Sequence, residues 1–412
     1  MRNKNILISG ASIAGPATAF WLNHYGFSTT VVEQAPRLRE GGQAVDFRGA
    51  QVEVLRRTGL LDEVRRHETA MRGHRVLDAR GRDLFRLPAS LFAGEVEILR
   101  GDLSRILYQA TKDETEYVFG DRITSMTEVG DGVQVTFAHG APRKYDLVVG
   151  ADGMHSGVRA LAFGPESRFR TDMGYAYAGF TMPNHLNLEH EGLMYNVPGR
   201  GVSVSSHRNR DEASVGLVLP MEPLDEDRHD TERLKQILAE RFGGLGWEVP
   251  KLIDGLREAT DLFFSPLCQI HLDRYTRGRV ALAGDAGWGA GPGGLGTGLA
   301  MIAGYVLAGE LAAAHGDHRV AFARYEEQVR PGAEAGLKQA KNAGPFLAPK
   351  TRKGLWVRNG MHRALTSKLL GGRLDKMEVK AANVVAVKDY ALRTNSTASS
   401  RDIAAPQRKA VS

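Results

Sequence analysis

The sequence predicts an α/β fold, a doubly wound parallel sheet interrupted by an inserted antiparallel sheet and closed by a C-terminal helical segment. Three observations carry this expectation. Residues 1–70 alternate strand, glycine turn, helix and strand, the layout of a doubly wound sheet. Residues 168–220 change to strands rich in Tyr, Val and Phe, broken at Pro183, Pro198, Gly199 and Gly201, as an antiparallel sheet would be. Positive charge then gathers at the end of the chain. Residues 331–412 hold 16 Lys/Arg against 5 Asp/Glu, and residues 1–330 hold 38 against 43, so the net +6 belongs to the C-terminal segment.

In chain order, the first strand is Ile6–Ser9, followed by a glycine turn, a helix to about Tyr25, a turn at Gly26 and a strand Thr29–Glu33. A Gly41-Gly42 loop leads to a helix over about Gly49–Arg66 and a hairpin over Val76–Leu87, turning at Gly81. A helix from about Arg100 to Thr111 precedes strands Glu116–Phe119, Ile123–Val129 and Val133–Ala138, and Tyr145–Val149 reads as a buried parallel strand. Thr231–Phe242 repeats apolar residues at helical spacing, Leu262–His271 and Val280–Ala283 read as strands, and Gly296–Ala314 as a long helix. The boundaries that follow are 1–75, 96–167 and 272–345 for a discontinuous first domain, 76–95 and 168–271 for the inserted domain, 346–395 for a helical cover and 396–412 for a disordered tail.

The composition, 42% hydrophobic and 25% charged over 412 residues, excludes a collagen-like or wholly disordered chain. The lone Cys268 excludes an intramolecular disulfide or a cysteine metal cluster and fits the cytoplasm. No signal peptide is apparent, and the apolar run Leu299–Ala314 is interrupted by Gly304, Gly309 and Glu310, so no transmembrane helix is expected. No nucleic-acid recognition module is visible in the basic segment.

The chemistry concentrates at strand ends. Gly10-Ala11-Ser12-Ile13-Ala14-Gly15 lies between a strand and a helix, with Glu33 closing the second strand. In a dinucleotide fold the first glycine makes the turn, the last lets helix and strand approach, and the acid takes ribose hydroxyls. Ser12 stands where a second glycine is usual. Asp152-Gly153 follows a buried strand and leads to Ser156 and Arg159; Gly284-Asp285 follows another and leads to Pro292, Gly296, Thr297 and Gly298. Asp-Gly and Gly-Asp pairs are also ordinary turns; three such motifs in order, each at a strand end, favour a ligand site.

Together these stretches resemble the three fingerprints of the flavin-dependent aromatic hydroxylases, the family of p-hydroxybenzoate hydroxylase, polyketide hydroxylases and tetracycline-inactivating monooxygenases. The resemblance covers about residues 1–345 and implies a Rossmann-type FAD-binding domain with an inserted substrate domain. It implies FAD contacts at Gly10, Ser12, Ala14, Gly15, Glu33, Arg100, Asp285, Pro292, Gly296, Thr297 and Gly298, and joint flavin and nicotinamide contacts at Asp152, Gly153, Ser156 and Arg159. It also implies a cytoplasmic monooxygenase in which NAD(P)H reduces FAD and dioxygen, through a flavin hydroperoxide, hydroxylates an aromatic or polyketide-like small molecule. The partners are then a small-molecule substrate and dioxygen, with no nucleic acid; the oligomeric state, the choice between NADPH and NADH and any acid or base residue stay open. Tyr175, Tyr177, Phe180, Met194, Tyr195, His207, Phe263 and Phe264 are candidates for lining the substrate site or for sheet core. Gly287 and Trp288 depart from the family pattern after Gly284-Asp285, and Trp288 either walls the pocket or packs in the core.

Two further readings remain open. One is an FAD-dependent dehydrogenase or reductase. The other is a non-catalytic flavoprotein that binds a partner or membrane through its basic C-terminus, where Leu355, Trp356, Met361, Leu365, Leu369 and Leu370 interleave with Arg358, Arg363, Lys368 and Arg373.

Overall fold

The computed structural model describes residues 2–39, 42–89, 94–221, 230–293, 295–365 and 383–390. Gly41, Gly294, the 366–382 part of the expected cover (with Lys368, Leu369, Leu370 and Arg373) and the expected tail 396–412 lie outside them. Six strands form the first sheet, in the order Thr276–Arg277, Val280–Leu282, Leu147–Gly150, Asn5–Ser9, Ser28–Glu33, Thr115–Phe119. Every pair is parallel except the edge pair of Thr276–Arg277 with Val280–Leu282.

Both faces of this sheet are covered, which is why Ile6–Ile8, Leu147–Val149 and Val280–Leu282 are continuous apolar runs. Ile6, Ile8, Val31 and Val149 pack with Trp21, Met301 and Tyr305 on one side, and Leu7, Val32, Val148 and Leu282 pack with Val133, Val135 and Val158 on the other. The helix Gly296–Ala313 is apolar all round because it runs through the core, and Gly304 lets it approach the first helix so closely that a Cβ there would lie 2.9 Å from the Thr18 nitrogen. By length and composition this helix could cross a membrane, contrary to the sequence expectation, yet 78% of it is buried inside the protein.

The second sheet has seven strands in the order Phe263–Ile270, Arg170–Pro183, Glu212–Pro220, Arg200–Ser206, Glu191–Val197, Gly73–Leu77, Asp83–Pro88. It is not purely antiparallel as expected: Glu191–Val197 pairs in parallel with Gly73–Leu77. A parallel neighbour needs a long crossover, and here the chain between the two strands contributes Thr115–Phe119 and Leu147–Gly150 to the first sheet. Helices Thr231–Phe242 and Val249–Glu258 bury one face of the second sheet, with Leu238, Phe242, Leu252 and Leu256 meeting Phe180, Val215 and Leu217. Asp230 caps the first of these helices by accepting the Arg233 N–H at 2.9 Å.

Other elements differ in detail. The helix expected over Gly49–Arg66 is two, Ala50–Arg57 and Leu61–Arg66, broken at Gly59 with φ +76°. The run Tyr145–Val149 is split at Asp146: Arg143–Tyr145 is antiparallel to Gly132–Phe137, and Leu147–Gly150 enters the parallel sheet. A 23-residue helix, His318–Ala340, runs through Pro331 and was not foreseen. The C-terminal segment is helical at Ala343–Leu347 and Arg352–Leu365, and residues 383–390 return to the first domain. There Val385 is buried among Leu299, Val329 and Ala333, and Tyr390 donates to Glu310 Oε1 at 2.9 Å.

Candidate functional site

The strand order brings the three motifs to one edge of the parallel sheet. Asn5–Ser9 lies between Ser28–Glu33 and Leu147–Gly150, with Val280–Leu282 next, so the segments after these four strands meet in the crevice where ligands bind on doubly wound sheets. Gly10 holds φ +105°, and a Cβ there would fall 2.5 Å from the Ala151 oxygen; one on Gly15 would fall 1.8 Å from the Gly10 oxygen. Both glycines are therefore demanded by backbone packing.

Glu33 shapes the turn. Its carboxylate accepts the Ala11 N–H and the Ala35 N–H, each at 2.8 Å. Arg100 starts the helix Arg100–Gln109 and donates to Ser12 Oγ from Nη2 at 3.1 Å and from Nε at 3.3 Å. Ser104, four residues on and thus on the same helix face, donates to the Ser12 carbonyl at 2.9 Å. Sequence reasoning missed Ser104, although its spacing from Arg100 could have pointed to it.

Asp285 is the open group of the site. Burial pushes its carboxyl above the usual range, the charge of Arg100 opposes that shift, and among the described residues it accepts no hydrogen bond. A Cβ on Gly296 would lie 3.5 Å from Asp285 Oδ1, so the acid stands beside the first turn of Gly296–Ala313. That helix has no side-chain cap, which leaves its leading N–H groups, at Gly296, Thr297 and Gly298, without a capping acceptor from a side chain. Ala14 and Ala300 flank Gly284, whose φ is +63°, joining the first turn to the third motif. Gly298 is required by Gln51, whose side chain occupies the place a Cβ would take; this partner was also missed. Pro292 is half-buried at the mouth of the same loop.

The second motif divides into a cradle and a brace. Asp152 accepts from Ser156 Oγ and from the Val158 N–H at 3.0 Å, its carboxyl raised by burial against these bonds. Gly153, at φ +81°, has nothing within 4 Å of a notional Cβ. The Arg159 side chain is 0% exposed. It donates to the carbonyls of Met154 and Ala286 at 2.7 and 3.1 Å and pairs with Glu166 at 3.1 Å. It ties the second motif to the third. Trp288 is likewise core, edge-on to Tyr275 at 4.8 Å.

Strand alternation sorts the substrate-lining candidates. Phe180, Tyr195 and Phe264 face the helix-covered core of the second sheet and not the crevice, and Phe263 is 53% exposed. Tyr175 is covered by Gly344 and by Lys350, whose Nζ sits 5.3 Å above its ring. Met194 packs on Val76 and Leu87. Tyr177, on the Tyr175 face, has its hydroxyl pKa raised by burial, a shift that the nearby Gln43 side chain opposes. Room for its ring comes from Gly179 and Gly216. His207 stands close enough to His74 to help burial hold the His74 pKa down to about 4.

The family model described as "FAD binding domain" matches residues 3–340. An uncharacterized protein of Mycobacterium tuberculosis is 43% identical over 332 residues, 79% of this chain and 89% of its own length. A flavin-dependent monooxygenase of Legionella longbeachae is 36% identical over 342 residues, 82% of this chain and 88% of its own. Among solved structures, the tetracycline destructase Tet(55) superposes with a TM-score of 0.81 at 35% identity, covering 95% of this chain and all of that one.

Proposed function

The chain belongs to the FAD-binding-domain family of flavin-dependent monooxygenases, and from that premise we propose that it uses NAD(P)H and dioxygen to hydroxylate an aromatic or polyketide-like molecule. Bound FAD supplies the redox and oxygen-activating chemistry. The observation that carries the reading is Asp285, a half-buried carboxyl that accepts no hydrogen bond among the described residues, set between Arg100 and an uncapped helix start. Such a group fits a cofactor hydroxyl: it is costly until a donor arrives.

In this reading Asp285 accepts from the ribityl chain, and the Arg100 guanidinium and Ser12 hydroxyl hold the pyrophosphate. Glu33 takes the adenosine ribose with the lone pairs its backbone bonds leave free. The helix start at Gly296–Gly298, with no side-chain cap, would hold the flavin's electron-rich edge and favour negative charge there. Gly153 leaves space at the second turn, and Arg159 positions it from behind. Tyr177 and Gln43 orient the substrate from the sheet side.

The division into an FAD-binding domain and a substrate domain follows the two sheets, with the C-terminal helices excluding water from the cleft between them. The Gly296–Ala313 helix serves as a core helix and not a membrane span, and the lone buried Cys268 suits a reducing cytoplasm. The test is NADPH oxidation by the purified yellow protein across phenols, naphthoquinols and tetracyclines, with oxygenated product scored against peroxide. A compound that both accelerates oxidation and gains oxygen supports the reading; a panel that yields only peroxide contradicts the proposed substrate class.

A further inference from the structure

The helix Arg352–Leu365 carries its polarity the wrong way round. Its inward side chains are polar: Arg358 and His362 are 8% and 4% exposed. Arg358 donates to the Phe346 carbonyl and to Asn196 Oδ1, each at 3.0 Å, and the His362 ring stacks on Phe85 and meets Phe346 edge-on at 4.9 Å. Its outward side chains are apolar: Trp356 is 78%, Val357 51% and Met361 48% exposed. With Gly360 and Ala364 these form one stripe at helical spacing. The stripe continues toward exposed Leu84, whose carbonyl accepts from Arg363 at 3.0 Å.

Basic groups ring the stripe. Lys350, Arg352, Lys353, Arg363 and Arg86 are exposed around it, with Asp83, 4.0 Å from Arg86, as a nearby acid. No Asp or Glu occurs between residues 335 and 374.

We propose that this face docks peripherally on an anionic phospholipid surface, with Trp356, Val357 and Met361 entering the headgroup boundary and the Lys and Arg side chains meeting lipid phosphates. The arrangement is that of an interfacial amphipathic helix, an apolar stripe with an aromatic anchor flanked by cations. A second copy of the chain fits poorly, because a two-fold interface would set the same cations against themselves. The inference stands independently of the substrate.

The experiment sediments the full-length FAD-loaded protein with vesicles of phosphatidylcholine alone or mixed with phosphatidylglycerol, at low and high salt. The expected result is binding that needs phosphatidylglycerol and weakens with salt. The double variant Trp356→Ser/Met361→Ser, and separately Lys353→Glu, should each raise the lipid concentration for half-binding by about tenfold. Their flavin content and lipid-free NADPH oxidation should match the parent. Binding that ignores lipid charge, no sedimentation at all, or variants that bind like the parent overturns the proposal. So does a parent dimer that the double variant dissolves, which would give the face to a second copy, or capture by an acidic protein with no vesicle binding.

Discussion

Asp285 and Arg159 show two ways in which a charged residue serves the site. The first is open to a ligand, the second closed to everything but protein. Replacing Asp285 by Ala removes a charged acceptor worth roughly 1.5–3 kcal/mol to its donor. FAD affinity should therefore fall by about 10- to 100-fold, read by titrating apoprotein with FAD, while far-ultraviolet circular dichroism stays unchanged. Undiminished affinity would remove Asp285 from the cofactor site. Arg159→Met leaves the Met154 and Ala286 carbonyls without this donor and Glu166 with His155 and Arg170 alone, at a cost of about 1–3 kcal/mol. A clear drop in the thermal midpoint is expected; an unchanged midpoint would show that the buried ion pair does not brace the turns. The motif positions themselves were legible in the sequence, because the tight turn after the first strand and the close helix–strand approach demand Gly10 and Gly15. The burial of Arg159 was not, since nothing in its local sequence distinguishes a guanidinium that meets a ligand from one that meets three protein acceptors.

At the scale of elements, glycine turns and alternation located most strands, Ala44–Phe47, Val96–Leu99 and Thr276–Arg277 aside, and two of the helices that escaped notice share a cause. Val249–Glu258 carries Pro250 in its first turn, and His318–Ala340 contains Pro331 with Gly332 and Gly336. These residues read as breakers, yet a proline at a helix start costs no hydrogen bond, and tertiary packing of Tyr325, Val329 and Ala333 sustains the longer helix. Alternation also could not say which face of the second sheet meets the cleft. That is decided by the helices that cover the other face, so Phe180 and Tyr195 went to core while Tyr177 stayed beside Gln43. The docking of Arg352–Leu365 carries its own pH dependence. Burial, aided by the Arg358 charge, holds the His362 pKa down from 6.5 to about 4. Above pH 6.5 the ring is neutral folded or unfolded and contributes no slope. As pH falls from 6.5 to about 4 the unfolded chain takes the proton first, and stability falls by up to about 3 kcal/mol before levelling. His362→Gln should flatten that part of the stability-versus-pH curve, measured by denaturant unfolding; an unchanged curve would show that the ring titrates normally.

Across the whole molecule, the uneven charge of the sequence acquires a place. The basic C-terminal segment lies on both domains: Arg358 and His362 on the second sheet, and Lys388 and Tyr390 on the first domain, where Lys388 Nζ reaches Glu310 at 3.0 Å. Tyr390 also packs on Gly309 and edge-on to Tyr305 at 5.2 Å. Truncating it with Tyr390→Ala should cost about 3 kcal/mol, seen as an earlier unfolding transition with the flavin fluorescence released at the same temperature. A variant as stable as the parent would show that the returning segment is not a structural strap. The sequence located this segment by its charge and by apolar residues interleaved with basic ones; its path was illegible because some of its contacts, such as Asn383 Oδ1 with the Ala50 N–H at 2.8 Å, span more than 300 residues. The central claim is that the chain transfers an oxygen atom from dioxygen to its substrate. Turnover of FAD-loaded protein with NADPH and an accepted phenol or tetracycline under isotopically labelled dioxygen, followed by mass spectrometry, tests it most directly. One labelled oxygen atom in the product is the predicted result; product formed anaerobically, or oxygen drawn from unlabelled water, would contradict it.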